Sequence, residues 1–435
     1  MPRGSLSNVL DASSKQENLV NKKPVTSLLR PIYSRMQSRS LVAGRVIVWP
    51  EATSAENATH QQRLHPSNAC LAGTKRAGGD SGRITLDLTT NASSLVYSLY
   101  PGHPVVLTAT NLTGRSLTAF EFYQPNVLPL FETTNGTSYS NVPDLHVAVA
   151  CGPFTTTTSH DISPLLALLK DIKEYRPHVL ILLGPLVDSS HPLIEEYRDS
   201  TYEELYQSRL NTVAEWCHLL KTSVVIVSSW REICGNPVYP TPPPFGSGKP
   251  YWTQKNPELA TWYENVTFVW DPCTLRIGPF VMGLSSPDVL FQMSSEEINA
   301  NCTGDRLARL CRHVLTAANF YPIHPPAESL PLDYPLWQDH AHFPSNRSPH
   351  CLVLPSRLRA FIKSVENVVC VNPGLITRPG STAAGSYARL IFSIKDSSAD
   401  LQESAMDVVS WAGDEKTATD STKSGVTILG EVVQL

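Results

Sequence analysis

Two uninterrupted apolar runs, residues 147–150 and 179–183, constrain what this chain folds into more than any other feature. A strand with one wet face alternates apolar with polar residues, whereas a run without alternation belongs to a strand buried on both faces, as in a parallel sheet. Between the runs, Leu165, Leu166, Leu168, Leu169 and Ile172 share one helix face by spacing, so strand, helix, strand is predicted with the helix as crossover. Each run ends in Gly-Pro. Ligands of open α/β sheets collect beyond the carboxyl ends of the strands, which makes Cys151, Gly152 and Pro153, and then Gly184, Pro185, Leu186, Val187 and Asp188, the first candidate site residues. Most of them carry no reactive group.

Residues 184–188 resemble the Gly-Asp-x-x-Asp motif of calcineurin-like binuclear metallophosphoesterases, and the order of strands around them is similar. That family places Asp-x-His after the first strand, Gly-Asn-His after the third and Gly-His-x-His near the end. Here Pro185 replaces the metal-bridging Asp and offers no carboxylate. The third strand, residues 223–227, runs into Ser228-Ser229-Trp230-Arg231-Glu232, with Trp230 and Arg231 where Asn-His is needed; a guanidinium stays protonated and repels a cation. The strand over 351–354 ends in Pro355-Ser356-Arg357, not Gly-His-x-His, while residues 368–371 lead into Asn372-Pro373-Gly374, the family's closing turn. The resemblance therefore implies the frame of a phosphoesterase with no metal, no cofactor and no catalytic residue. Asp161, Asp188 and His191 are the one residual set for a single ion, weak without a bridging carboxylate. In Asp339-His340-Ala341-His342 the His-x-His precedes its strand instead of following it, so a loop-stabilising pair is expected over a zinc site.

Longer strings narrow the resemblance. Residues 150–154, 184–191, 236–245, 354–359, 371–374 and 386–390 are similar to the B (second, accessory) subunits of replicative DNA polymerases, most closely that of DNA polymerase α with primase, over the chain from about Gly44 to its end. Gly385-Ser386 departs from an expected Gly-Gly-Thr. The resemblance implies an α/β phosphoesterase-like domain of two packed sheets flanked by helices, preceded by a β-barrel OB domain. It also implies a nuclear, non-enzymatic scaffold. The implied partner is the C-terminal domain of the polymerase catalytic subunit and, through it, primase, with DNA contacted indirectly or weakly. Three alternatives stand beside it: an active metallophosphoesterase with a reduced metal site, an OB-fold protein for single-stranded nucleic acid, and the B subunit of another replicative polymerase.

Composition supports these expectations. The 435 residues suffice for two or three domains. A net charge of −4 and 17% charged residues supply no general attraction to a phosphate backbone. The nine Cys include no Cys-x-x-Cys, which fits buried thiols in a reduced compartment, and no run reaches the roughly 20 apolar residues of a membrane span. Seven Asn-x-Ser/Thr sequons follow no apolar signal core and are read as chance.

Residues 1–40 are read as a flexible basic linker, with Lys22-Lys23 as its tightest basic cluster and without the small helical domain that the family carries upstream. Residues 41–135 are the barrel domain, with strands over 42–49, 83–88, 105–111 and 117–123 and a long loop over 51–82. Six Arg or Lys balance six Asp or Glu between Ser40 and Glu132, so a structural barrel is favoured over a nucleic-acid groove, and weak binding is assigned to the basic N-terminal arm. Residues 144–435 form the phosphoesterase-like domain. Within it, residues 202–221 are a helix with Leu205, Leu210, Val213, Trp216, Leu219 and Leu220 inward, and the Pro-rich stretch 236–250 is a covering loop. Strands follow over 266–270 and 276–284, a helix over 305–316, a disordered acidic insert over 396–424 and a last strand over 425–435.

Overall fold

The computed structural model describes residues 29–49, 63–73, 82–132, 143–246, 248–378, 385–394, 416–420 (backbone) and 426–435. They form two compact units: residues up to Leu128 with Gln292–Glu328, and Pro129–Phe291 with Ser329–Leu435. Residues 292–328 thus group with the barrel, although they follow the start of the second predicted domain.

In the first unit, β1 (Met36–Val48), β2 (Ala69–Gly73), β3 (Arg83–Asp87), β5 (Pro104–Asn111) and β6 (Ser116–Phe122) close a barrel in the order β1-β2-β3-β6-β5. The pair β3/β6 is parallel, and the others are antiparallel. The short β4 (Tyr97–Leu99) pairs separately with β13 (Ile298–Ala300). Alternation drives closure: Ile84 and Leu86 point inward while Arg83 and Thr85 are exposed, and Val42, Val46, Leu107, Ala109, Leu117 and Ala119 fill the interior. Two expectations are corrected. The strand begins at Met36, inside the segment read as linker, because Ile32 and Met36 join the barrel core. β2 lies within the predicted 51–82 loop; Cys70 and Leu71 are fully buried, but five residues of mixed type give no period to read. The rest of that loop, like residues 1–28, lies largely outside the described residues.

In the second unit, β7 (Leu145–Cys151), β8 (Val179–Leu183), β9 (Ser223–Val227) and β10 (Val266–Val269) run parallel. With β17 (Ser386–Ile394), β18 (Lys416–Asp420) and β19 (Val426–Gln434) they make a seven-stranded sheet ordered β10-β9-β8-β7-β17-β19-β18. A five-stranded sheet, ordered β11-β12-β14-β16-β15, comprises β11 (Cys273–Ile277), β12 (Phe280–Leu284), β14 (Cys351–Val353), β15 (Phe361–Val365) and β16 (Val368–Asn372). Alternate residues of the unbroken apolar runs serve different cores. Val147, Val149, Ile181 and Leu183 pack with Met282, Val353 and Val371 between the sheets, whereas Ala148, Ala150, Leu180 and Leu182 face the helices Ser163–Tyr175 and Tyr202–Leu220.

The helices correct the predicted faces. Leu165, Leu168, Leu169 and Ile172 are buried, but Leu166 lies about 100° round from Leu165 and is exposed. In the second helix the buried stripe is Leu205, Tyr206, Leu210, Val213 and Cys217, leaving Leu219 exposed and Trp216 and Leu220 at the margin. Residues 276–284 are not one strand: Gly278, at φ +57°, turns β11 into β12, a left-handed conformation that glycine adopts without steric cost. Backbone pairing of β18 with β19 places residues 416–420 in the sheet, contrary to the predicted insert, whose other residues all lie outside the described set. The Pro-rich stretch covers the unit as expected, with Tyr239 wholly buried and bridged to Leu332.

Candidate functional site

The carboxyl ends of β7, β8, β9 and β10 bring together the residues singled out in the sequence. Their ladder continues past the strands, since Gly152 N donates to Leu183 O (2.9 Å), Gly184 N to Val227 O (3.0 Å) and Ser228 N to Val269 O (3.1 Å). Side chains are excluded at the first two turns. A Cβ on Gly152 would lie 2.3 Å from Pro185 O, and one on Gly184 would lie 2.9 Å from the Ser229 Cβ. With backbone in contact here, Cys151, Pro153 and Pro185 line a closed end, and burial pushes the Cys151 thiol far above its usual range, so it stays protonated.

The acids at these strand ends have partners of their own. The Asp188 carboxylate receives two nitrogens of Arg231, with Nε 3.1 Å from Oδ1 and Nη2 closer still to Oδ2. Glu232 is buried, forms a β-bridge with Asp188, and accepts from Leu186 N (2.7 Å) and Val187 N (2.8 Å), which ties the third loop to the second. Burial pushes its carboxyl up to about 7, against these bonds that favour the charged form.

The residual one-ion set does not assemble. His191 Nδ1 accepts from Leu193 N (3.1 Å), so the proton sits on Nε2, which faces Thr156 O at 2.8 Å; both ring nitrogens are engaged. Asp161 Oδ1 accepts from Ser163 N at 3.2 Å. His340 stacks on Trp270 (4.0 Å between centroids) and His342 meets Trp337 edge-on. That His pair is held by aromatic contacts, and His340 ends the short helix Tyr334–His340, not a loop as predicted. Among the described residues no three His, Cys, Asp or Glu side chains converge as an ion would require.

The strand ends of the second sheet carry the remaining residues singled out in the sequence. Pro355 and Ser356 follow β14, and Ser356 N donates to the fully buried Asn372 Oδ1 (2.8 Å). The same oxygen accepts from Gly374 N (2.9 Å), while Asn372 Nδ2 donates to Leu358 O (3.3 Å) and Arg359 O (3.1 Å). One saturated amide thus shapes both the loop after β14 and the turn at Asn372-Pro373-Gly374. Arg357 N and Nε bind Asp288 Oδ2 at 2.9 and 3.3 Å.

Asp271, which the sequence reading missed, is fully buried after β10; it accepts from Ser286 N (2.9 Å) and pairs with the Ser286 hydroxyl. Burial pushes it up to about 7. The available signal was an acid ending the apolar run 266–270 just before Pro272. The first unit holds a further cluster, with Ser98 Oγ 2.5 Å from Glu297 Oε1 and 2.6 Å from His313 Nε2. A catalytic relay needs the acid on the opposite ring nitrogen, and here both partners meet Nε2, so the set reads as a buried structural lock.

A family model for the B subunit of DNA polymerases alpha and epsilon matches residues 147–363. The DNA polymerase alpha B subunit of Rattus norvegicus is 35% identical over 330 residues, 75% of this chain and 52% of that protein. The Drosophila melanogaster protein of the same name is 30% identical over 295 residues (68% and 44%), and the Saccharomyces cerevisiae one 24% over 412 residues (83% and 54%). The chain spans about half the length of these curated relatives.

Proposed function

The chain belongs to the family of B subunits of DNA polymerases alpha and epsilon, and from that premise we propose that it is a non-catalytic scaffold of the DNA polymerase α and primase complex. It binds the C-terminal domain of the catalytic subunit, bridges it to primase, and so supports primer synthesis in the nucleus. The first unit is read as an OB domain, supported by its closed five-stranded barrel with one parallel pair. The second is read as a calcineurin-like domain that has lost its metal site, supported by two packed sheets with the family's motif positions at their strand ends.

The observation that carries the non-catalytic reading is the pair Arg231–Asp188 beside the backbone-bound Glu232. On this reading a positive guanidinium stands where a cation would otherwise be bound, and the pairing of Arg231 with Asp188 supports it by engaging the acid. Purified chain in excess Mn²⁺ with a generic phosphodiester tests it. No turnover above the metal-only control is expected; metal-dependent turnover lost on Asp188→Ala would establish the alternative of a hydrolase with a reduced site.

A further inference from the structure

The balanced charge of the barrel segment conceals a local excess. The turn before β1 packs on the β5–β6 turn: Asn111 Nδ2 donates to Ile32 O (2.9 Å), and a Cβ on Gly114 would lie 3.9 Å from Arg35 Cγ. The Tyr33 hydroxyl donates to Arg83 O (3.0 Å), which brings the start of β3 to the same place, beside Arg115. Farther along this wall Arg39 lies over the Phe120 ring, 4.1 Å from its centroid. The segments 29–40, 82–84 and 111–122 carry five Arg against one acid, Glu121. Arg35, Arg39, Arg83 and Arg115 are exposed, and none has a carboxylate partner among the described residues.

We propose that this wall is a weak, salt-sensitive contact surface for single-stranded nucleic acid, a role that goes beyond the scaffold function. Unpaired guanidiniums match phosphates, and bases stack on aromatic rings; Tyr33 and Phe120 stand among the Arg side chains, and Tyr33 is 39% exposed. An acidic polypeptide would use the charges but not the rings, so the aromatic interleaving favours a nucleic acid. The nearest acid elsewhere in β3, Asp87, is bound by Thr89 and Thr90 at the far end of that strand and does not neutralise the patch. Because binding rests on few contacts, it should be marginal at physiological salt and visible at low salt.

The test is fluorescence anisotropy of the whole chain with a labelled oligothymidylate across a salt series. Each lost phosphate contact lowers the slope of log K against log salt by about 0.7 on a single strand. The triple variant Arg35→Ala, Arg39→Ala, Arg115→Ala should therefore bind at least tenfold more weakly, with a slope shallower by about 2. The single variant Arg115→Ala should lower the slope by about 0.7 and keep the melting curve, which separates lost contacts from lost fold. Tyr33→Ser should weaken binding several-fold at unchanged slope, and Lys22→Ala with Lys23→Ala should change neither quantity. The proposal is overturned by absence of binding at low salt, by wild-type binding in the triple variant, by loss of binding in the Lys22/Lys23 variant, or by equal competition from polyglutamate and unlabelled oligonucleotide.

Discussion

Arg231 holds Asp188 through two of its nitrogens while Asp188 is almost wholly buried and Arg231 is about one-third exposed. Removing only the cation leaves a buried carboxylate unpaired. Arg231→Met should therefore destabilise the second unit by about 2–3 kcal/mol, at the low end for a buried pair because water screens the Arg side. Adding Asp188→Leu should restore most of the loss. Urea unfolding of both variants checks this; equal stability of Arg231→Met and the parent chain would show that the pair is incidental.

A second prediction concerns pH. Asp271 holds its proton up to about 7, against 3.8 for an ordinary Asp, chiefly because it is buried. Between those values the folded chain binds more protons than the unfolded one, so stability contributed by this group is present below about pH 4 and falls as pH rises to about 7. Asp271→Asn keeps the bonds to Ser286 and removes the titration. Relative to the parent it should gain stability above pH 7, by about 4 kcal/mol at the outside. Thermal melts from pH 4 to 8 read the effect; identical pH slopes for the two chains would contradict it.

Much of this was legible in the sequence, and the limits have physical causes. The runs at 147–150 and 179–183 announce a parallel sheet because burial on both faces removes every polar alternative. Pro185 and Arg231 argue against metal ligation from sequence alone, because ligation is a property of single side chains. The bonds that tie these strand ends together are another matter. Glu232 reaches amides 45 and 46 residues away, and Asn372 reaches Ser356 across 16 residues, distances at which pattern carries no signal. The strand β2 was missed because three buried residues between uncharacteristic neighbours show no period. Leu166 and Leu219 were misplaced because an apolar residue one or two positions off a stripe still looks like part of it.

Asn372 supports a third prediction. Its amide makes four hydrogen bonds in a fully buried position, to the backbone of Ser356, Leu358, Arg359 and Gly374. Asn372→Ala should cost about 3 kcal/mol or more, since several buried backbone groups lose their partner together. Hydrogen exchange should rise first at the amides of Ser356 and Gly374. A uniform change across the chain would show that the amide does not organise these two turns.

The two glycines Gly152 and Gly278 give a fourth, paired prediction. Gly152→Ala drives a methyl into Pro185 O and should abolish soluble expression, whereas Gly278→Ala meets open space and should cost only about 1–2 kcal/mol for its left-handed backbone. Comparable yields of the two variants would mean that the strand ends are not packed as described.

The proposed scaffold role requires that the chain bind a polymerase catalytic subunit. Size-exclusion chromatography and thermal melting of the chain, alone and mixed with the C-terminal domain of the DNA polymerase α catalytic subunit, test it most directly. A co-eluting complex is expected, with a melting temperature raised by several degrees, as for a partner that binds only the folded state. A chain that elutes and melts unchanged in the presence of that domain would contradict that role.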